Sequence, residues 1–261
     1  MTDAWARTID EWAPDSHTIY FSSDRTGKSS IYRQETHQGV AEQVVAGDED
    51  DYAPHLSADR NFLFYTSAAR GTPPGQLRLM KMPLDGGTPS VLAVGGYQYQ
   101  CASPPSKVCI ASQPKGDQLL FYALDPNRGP GAVPLDSSGS VFDWSLSPNG
   151  QQIALIDHKD QERVQLLLLG HHTTRTLDLG KWSHLSAQLQ SVSWLPNGQG
   201  LYLTVFLPSG TTLLSVRLDG NASVLFQSHN WLCCPVESPN GKLLGYSLTE
   251  IRRDLALIDN L

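Results

Sequence analysis

Apolar and polar residues alternate along most of this chain in short runs, and turn-forming residues separate the runs. Thr18–Ser23 (TIYFSS), Phe62–Ser67 (FLFYTS), Val108–Ser112 (VCIAS), Gln152–Ile156 (QIALI), Leu201–Phe206 (LYLTVF) and Leu243–Leu248 (LLGYSL) are rich in β-branched, aromatic and leucine residues. Such runs predict strands. No stretch holds a helical apolar period long enough for a bundle helix. A turn phrase precedes each run: Trp12-Ala-Pro-Asp-Ser16, Ser57-Ala-Asp-Arg-Asn61, Ser103-Pro-Pro-Ser106, Ser147-Pro-Asn-Gly150, Leu195-Pro-Asn-Gly198 and Ser238-Pro-Asn-Gly241. The anchors at 14, 58, 104, 148, 196 and 239 stand 44, 46, 44, 48 and 43 residues apart. Proline sets φ for the first corner, Asp or Asn tolerates the next, and Gly or a small polar residue releases the chain.

Further runs complete each unit. Inner strands such as Val141–Ser145 and Ser191–Leu195 precede the turns. Third strands follow, from Ser30–Arg33 through Leu119–Leu124 to Asp254–Ile258. Outer strands are predicted at Gln43–Ala46, Val91–Val94, Ala132–Leu135, Thr174–Leu179 and Ser223–Phe226. Four short strands per unit of about 45 residues define a β-propeller blade. The expected fold is all-β, a six-bladed β-propeller of four-stranded antiparallel blades in a single domain, 1–261. Blades are expected near 8–47, 52–96, 97–136, 141–180, 190–228 and 233–261, with 1–7 completing the last. Two residues before the anchors stand Trp12, Leu56, Ala102, Leu146, Trp194 and Glu237. Five after them stand Ile19, Leu63, Cys109, Ile153, Leu201 and Leu244. A hairpin sets these columns opposite each other on one face. Glu237 breaks the apolar column.

Composition narrows the function. Charged residues are 17%, and 19 Lys+Arg against 26 Asp+Glu give a net charge of −7 with no basic run. Nucleic acid is therefore not an expected partner, nor is an anionic membrane surface. The longest apolar run, Val164–Leu169, is too short to insert in a bilayer. Met1–Trp12 has neither the basic nor the apolar part of a signal peptide. An extracytoplasmic site is expected if the chain is a domain of a membrane-bound parent, and a cytoplasmic one if it is complete. As an isolated domain a monomer is expected.

Trp12-Ala-Pro-Asp-Ser16, Ile19-Tyr-Phe-Ser-Ser-Asp-Arg-Thr-Gly27 and Ile31-Tyr-Arg33 resemble the repeat of TolB-like propellers. Cys101–Cys109, Phe121–Gly131, Lys181–Gly200 and Asp254–Leu261 are similar to the C-terminal propeller of bacterial eukaryotic-like serine/threonine kinases. The kinase glycine loop, catalytic loop and DFG triplet are absent from this sequence. The resemblance implies a sensor-like module of a larger signalling protein.

Candidate chemistry is sparse. No G-x-S-x-G elbow occurs, and no catalytic residue is expected. Asp48-Glu-Asp-Asp51 lacks the spaced ligands of a calcium loop and reads as a solvated acidic turn. The histidines follow no metal-ligand spacing, so no metal or cofactor is expected. TolB-like propellers that act as uronate lyases hold a metal with histidines. That alternative, a carbohydrate-active lyase or hydrolase, needs His55, His184 and His229 to meet at the channel. Strand alternation sets Cys109 opposite Ala102, which opposes a Cys101–Cys109 disulfide, and the neighbouring Cys233 and Cys234 read as packing residues. Binding remains. The loops entering the innermost strands carry Tyr52, His55, Tyr97, Tyr99, Phe142, Trp182, His229 and Trp231. Tyr and Trp combine large contact area with a polar tip, which suits a protein, peptide or glycan ligand at the channel mouth.

Overall fold

A computed structural model describes residues 6–180, 182 and 188–249. Sheets form in chain order, each strand pairing antiparallel with its neighbours. The first comprises β1 (Ala6–Trp12), β2 (Thr18–Ser23), β3 (Ser30–Glu35) and β4 (Glu42–Gln43). The second comprises β5 (Asp50–Leu56), β6 (Phe62–Ala68), β7 (Arg78–Pro83) and β8 (Ser90–Val94). The third has β9 (Gln98–Cys101), β10 (Cys109–Lys115) and β11 (Gln118–Asp125), with β12 (Gly129–Pro130) and β13 (Asp136–Ser138) both on the edge of β11. The fourth comprises β14 (Val141–Leu146), β15 (Gln152–Asp157), β16 (Val164–Leu168) and β17 (Thr173–Leu177). The fifth comprises β18 (Gln188–Trp194), β19 (Gly200–Leu207), β20 (Gly210–Arg217) and β21 (Ala222–Ser228). Last come β22 (Trp231–Glu237) and β23 (Leu244–Thr249).

The chain is thus an all-β propeller with five blades, not the six expected, and the sixth repeat contributes a two-stranded sheet among the described residues. The strand expected at Asp254–Ile258 and the segment Met1–Trp5 lie outside the described residues. Ala6 and Arg7 do not complete the last sheet. They belong to β1, where Ala6 pairs with Ser23 of the first blade. The outer strand expected at Ala132–Leu135 is split into β12 and β13. Pro130 and Pro134 donate no backbone hydrogen bond and interrupt a continuous ladder.

The two anchor-linked columns pair as expected in five repeats: Trp12 with Ile19, Leu56 with Leu63, Leu146 with Ile153, Trp194 with Leu201 and Glu237 with Leu244. The turn chemistry is local. In the fourth repeat the Ser147 hydroxyl donates to Asn149 Oδ1 (2.8 Å) and accepts from the Gln152 amide (2.9 Å). Ser57-Asp59 and Ser238-Asn240 repeat this arrangement. The third repeat differs. Ala102 N donates to Val108 O (2.8 Å), which leaves five loop residues where the other turns have four. The extra residue moves the register by one and sets Cys101 opposite Cys109. The two are joined by a disulfide with Cα atoms 4.0 Å apart, which corrects the expectation from alternation. Cys233 and Cys234 are also bridged, so they are not simple packing thiols.

Apolar clusters lie between blades. Leu201, Leu203 and Val205 of β19 pack with Ala154, Ile156 and Val164 of the fourth blade. At Gly210 (φ +125°) a Cβ would run into the Ser228 carbonyl of β21. Gly210→Ala is expected to lower stability by about 2–3 kcal/mol, read from urea unfolding.

Ring closure joins β1 to the two-stranded sheet. The Trp12 indole N–H donates to Val236 O (2.9 Å), Ile9 N to Ser247 Oγ (3.3 Å) and Asn240 N to Ser16 Oγ (3.1 Å). Trp12, Ile19, Phe21 and Tyr32 are buried together, with Val236 packed against them.

Candidate functional site

The innermost strands β1, β5, β9, β14, β18 and β22 surround a cavity of about 800 Å³ on the propeller axis. Its wall is built from their C-terminal halves. Its rim is built from the following turns, so that Pro14, Pro104, Pro148, Pro196 and Pro239 ring one end. Ala58 holds the anchor position in the second repeat, and there Arg60 (φ +59°) lines the cavity. The proline phrase that punctuates the sequence is therefore also part of the cavity. Bulges in β1, β5, β14, β18 and β22 interrupt the alternation on this wall. A bulge re-aims a side chain that strict alternation would turn away.

Polar groups staple neighbouring inner strands. Gln100 Nε2 donates to Trp144 O (3.1 Å), while Gln100 Oε1 accepts from Leu146 N (2.8 Å). The Trp144 indole donates to Gln98 Oε1 (2.8 Å) and the Trp194 indole to Ser145 O (3.0 Å). Asp143 Oδ2 accepts from Val192 N (2.9 Å). Ser193 Oγ donates to Pro235 O (2.6 Å). On the opposite arc, Glu11 takes Arg60 on one oxygen (3.1 Å) and His55 Nδ1 on the other (3.3 Å).

The cavity is acidic. Asp10, Glu11, Asp143 and Glu237 line it against Arg60 and His55. Asp143 is half-buried in the cavity wall, and desolvation raises its pKa to about 7 despite the opposing hydrogen bonds from the Val192 and Trp144 amides. Glu237, which broke the apolar column, accepts a hydrogen bond from the Tyr202 hydroxyl (2.8 Å). Burial and this carboxylate both push the Tyr202 pKa up.

Of the eight residues that sequence reasoning nominated, His55 lines the cavity. Tyr52, Phe142 and Trp231 stand near the N-terminal ends of innermost strands, and Tyr97 just precedes one. They therefore lie at the end of the channel opposite the proline rim. Phe142 is exposed and stacks on His158, and Tyr97 meets Tyr122 edge-on. Tyr99 is buried and donates to Ala53 O (2.7 Å), and burial raises its pKa well above the usual value. Trp182 is buried in the cluster between the fourth and fifth blades. His229 Nδ1 lies 3.2 Å from Ser209 O. His184 lies outside the described residues. The acidic turn is engaged structurally: Glu49 pairs with Arg78, and Asp50 accepts from Ser29 N (2.8 Å). Sequence reasoning missed Glu11, Arg60 and Asp143. Glu237 alone carried a signal, as a charge in an apolar column.

His55 is the histidine on the cavity wall, and no three His, Cys, Asp or Glu groups are placed to hold one ion among the described residues.

Fold and cavity together define a TolB-like β-propeller with a closed inner ring and an acidic axial pocket. The chain is similar to the putative TolB from Agrobacterium tumefaciens (TM-score 0.67, 14% identity, covering 94% of this chain and 91% of that one). It is also similar to TolB from Acinetobacter baumannii (TM-score 0.62, 20% identity, covering 85% of this chain and 55% of that one). The chain thus spans about half the length of the Acinetobacter protein. An oligogalacturonate lyase in complex with manganese is similar at TM-score 0.63 and 14% identity, covering 92% of this chain and 70% of that one. At these identities the likeness is one of fold. No family model and no curated protein matches the sequence.

Proposed function

We propose that this propeller is a non-catalytic binding module whose ligand is a cationic peptide or protein segment seated in the axial cavity. The observation that carries this reading is the four carboxylates against one arginine and one histidine on a wall of ligand-sized volume. The excess of acidic groups over Arg60 inside low-dielectric walls favours an incoming cation. The proline rim offers rigid apolar contact around it. Lys- and Arg-containing peptides titrated against the protein, with tryptophan fluorescence as the readout, test this. Binding is expected to weaken about ten-fold on Glu237→Gln and to fall with rising salt. Phe142→Ala and Tyr97→Ala report on the opposite end. If those variants abolish binding and Glu237→Gln does not, the ligand sits at the aromatic end instead. Membership in a larger signalling protein is part of this reading, and an in-frame kinase upstream of Met1 would support it.

The alternative, a carbohydrate-active lyase, is favoured by the fold likeness to oligogalacturonate lyase and by His55 on the cavity wall. One divalent ion per purified chain, lost in His55→Ala, would favour it.

A further inference from the structure

The β22 segment Cys233-Cys-Pro-Val236 joins the sixth sheet to both of its neighbours. Cys234 N donates to Ser191 Oγ of the fifth blade (3.0 Å), and Pro235 O accepts from Ser193 Oγ (2.6 Å). Val236 O accepts the Trp12 indole of the first blade (2.9 Å). The bulge between Cys233 and Val236 puts Cys234 in left-handed backbone, φ +59°, a conformation that disfavours any residue with a Cβ. Cys233 and Cys234 are bridged to each other. Cys233 is buried, whereas Cys234 is partly exposed on the cavity wall.

We propose that Cys233–Cys234 is a thiol-exchange site, reached by small-molecule thiols through the axial cavity, whose opening loosens the seam between the fifth blade, the sixth sheet and the first blade. A thiolate attacks the sulfur of Cys234, the residue of the pair that lines the cavity. The S–S bond breaks, its electron pair leaves on Cys233 Sγ, and that thiolate takes up a proton. A second thiolate attacks the small molecule's sulfur in the mixed disulfide and releases Cys234. One protein disulfide and two thiols become one protein dithiol and one small-molecule disulfide.

The Cys101–Cys109 bond is the internal contrast. Cys101 also lines the cavity. Its partner, however, is held opposite by the β9–β10 ladder, with Ile110 facing Gln100 and Ala111 facing Tyr99. Opening that bond frees no backbone. Opening Cys233–Cys234 frees a left-handed residue that supports two interstrand contacts.

The test uses the folded, oxidised chain across a series of glutathione concentrations. Acid quenching, alkylation and peptide mass mapping count thiols at each pair, and amide hydrogen exchange is followed in parallel. Cys233–Cys234 is expected to half-open at about ten-fold lower glutathione than Cys101–Cys109. Exchange in 231–237 and 6–12 is expected to rise about ten-fold at the same point, with the other blades unchanged. Thioredoxin, too large for the cavity, is expected to open the pair far more slowly. Alkylation of Cys233 and Cys234 without reductant overturns the proposal. So does simultaneous opening of both pairs, opening with unchanged seam exchange, or equally fast opening by thioredoxin. Mapping on the wild-type chain separates the pairs, so no cysteine variant has to fold.

Discussion

Trp12→Ala is expected to destabilise the propeller by about 3–5 kcal/mol, the range for removing a large buried aromatic side chain. Trp12 is 4% exposed and packs with Ile19, Phe21 and Tyr32. Its indole also makes the hydrogen bond to Val236 that ties the first blade to β22. The loss therefore falls on the seam that closes the ring. Trp12→Phe keeps much of the apolar contact and removes only the donor, so about 1–2 kcal/mol is expected. Urea unfolding of both variants measures the two effects. Equal stability of Trp12→Ala and wild type would show that the ring does not depend on this latch.

Asp143 makes stability depend on pH. Its folded pKa is raised to about 7 from an ordinary 3.8 by desolvation. Between these values the folded state holds a proton that the unfolded chain has released. The stabilisation is thus fully present below about pH 4 and is lost as pH rises through about 7. The full shift corresponds to roughly 4 kcal/mol. The part of it that falls between pH 5 and pH 8 is about 2–3 kcal/mol. Asp143→Asn keeps a side-chain oxygen for the Val192 amide and carries no charge. The stability difference between Asp143→Asn and wild type is expected to grow by about 2–3 kcal/mol in favour of the variant from pH 5 to pH 8. Thermal unfolding at several pH values reads it directly. A constant difference would mean that Asp143 is ionised throughout. Because this carboxylate lines the proposed ligand site, a bound cation is expected to favour its charged form and release a proton on binding at pH 6.

The repeat, its strands and the pairing of Trp12 with Ile19 or Leu146 with Ile153 were legible because turn chemistry and two-residue alternation are local properties. The third repeat shows the limit. Its Pro104-Pro105 loop has one residue more than the other turns, and that one residue decides whether Cys109 faces Ala102 or Cys101. Of the nominated aromatic residues, Tyr52, Phe142 and Trp231 stand near the entry ends of inner strands and Tyr97 just before one, whereas Tyr99 and Trp182 are buried. The cavity instead lies where those strands end, and His55 is the nominated residue on its wall. Glu11 and Arg60 are 49 residues apart in sequence and meet only when the first two blades pack side by side.

By itself the sequence determined an all-β propeller, its period and the turns that punctuate it, since each depends on residues within one hairpin. The tertiary structure alone decided the number of complete blades, the two disulfide pairings and the acidic axial cavity. Those depend on loop length, on bulges that override alternation, and on which inner strands become neighbours when the ring closes. The blade count and the cavity are encoded in no single repeat.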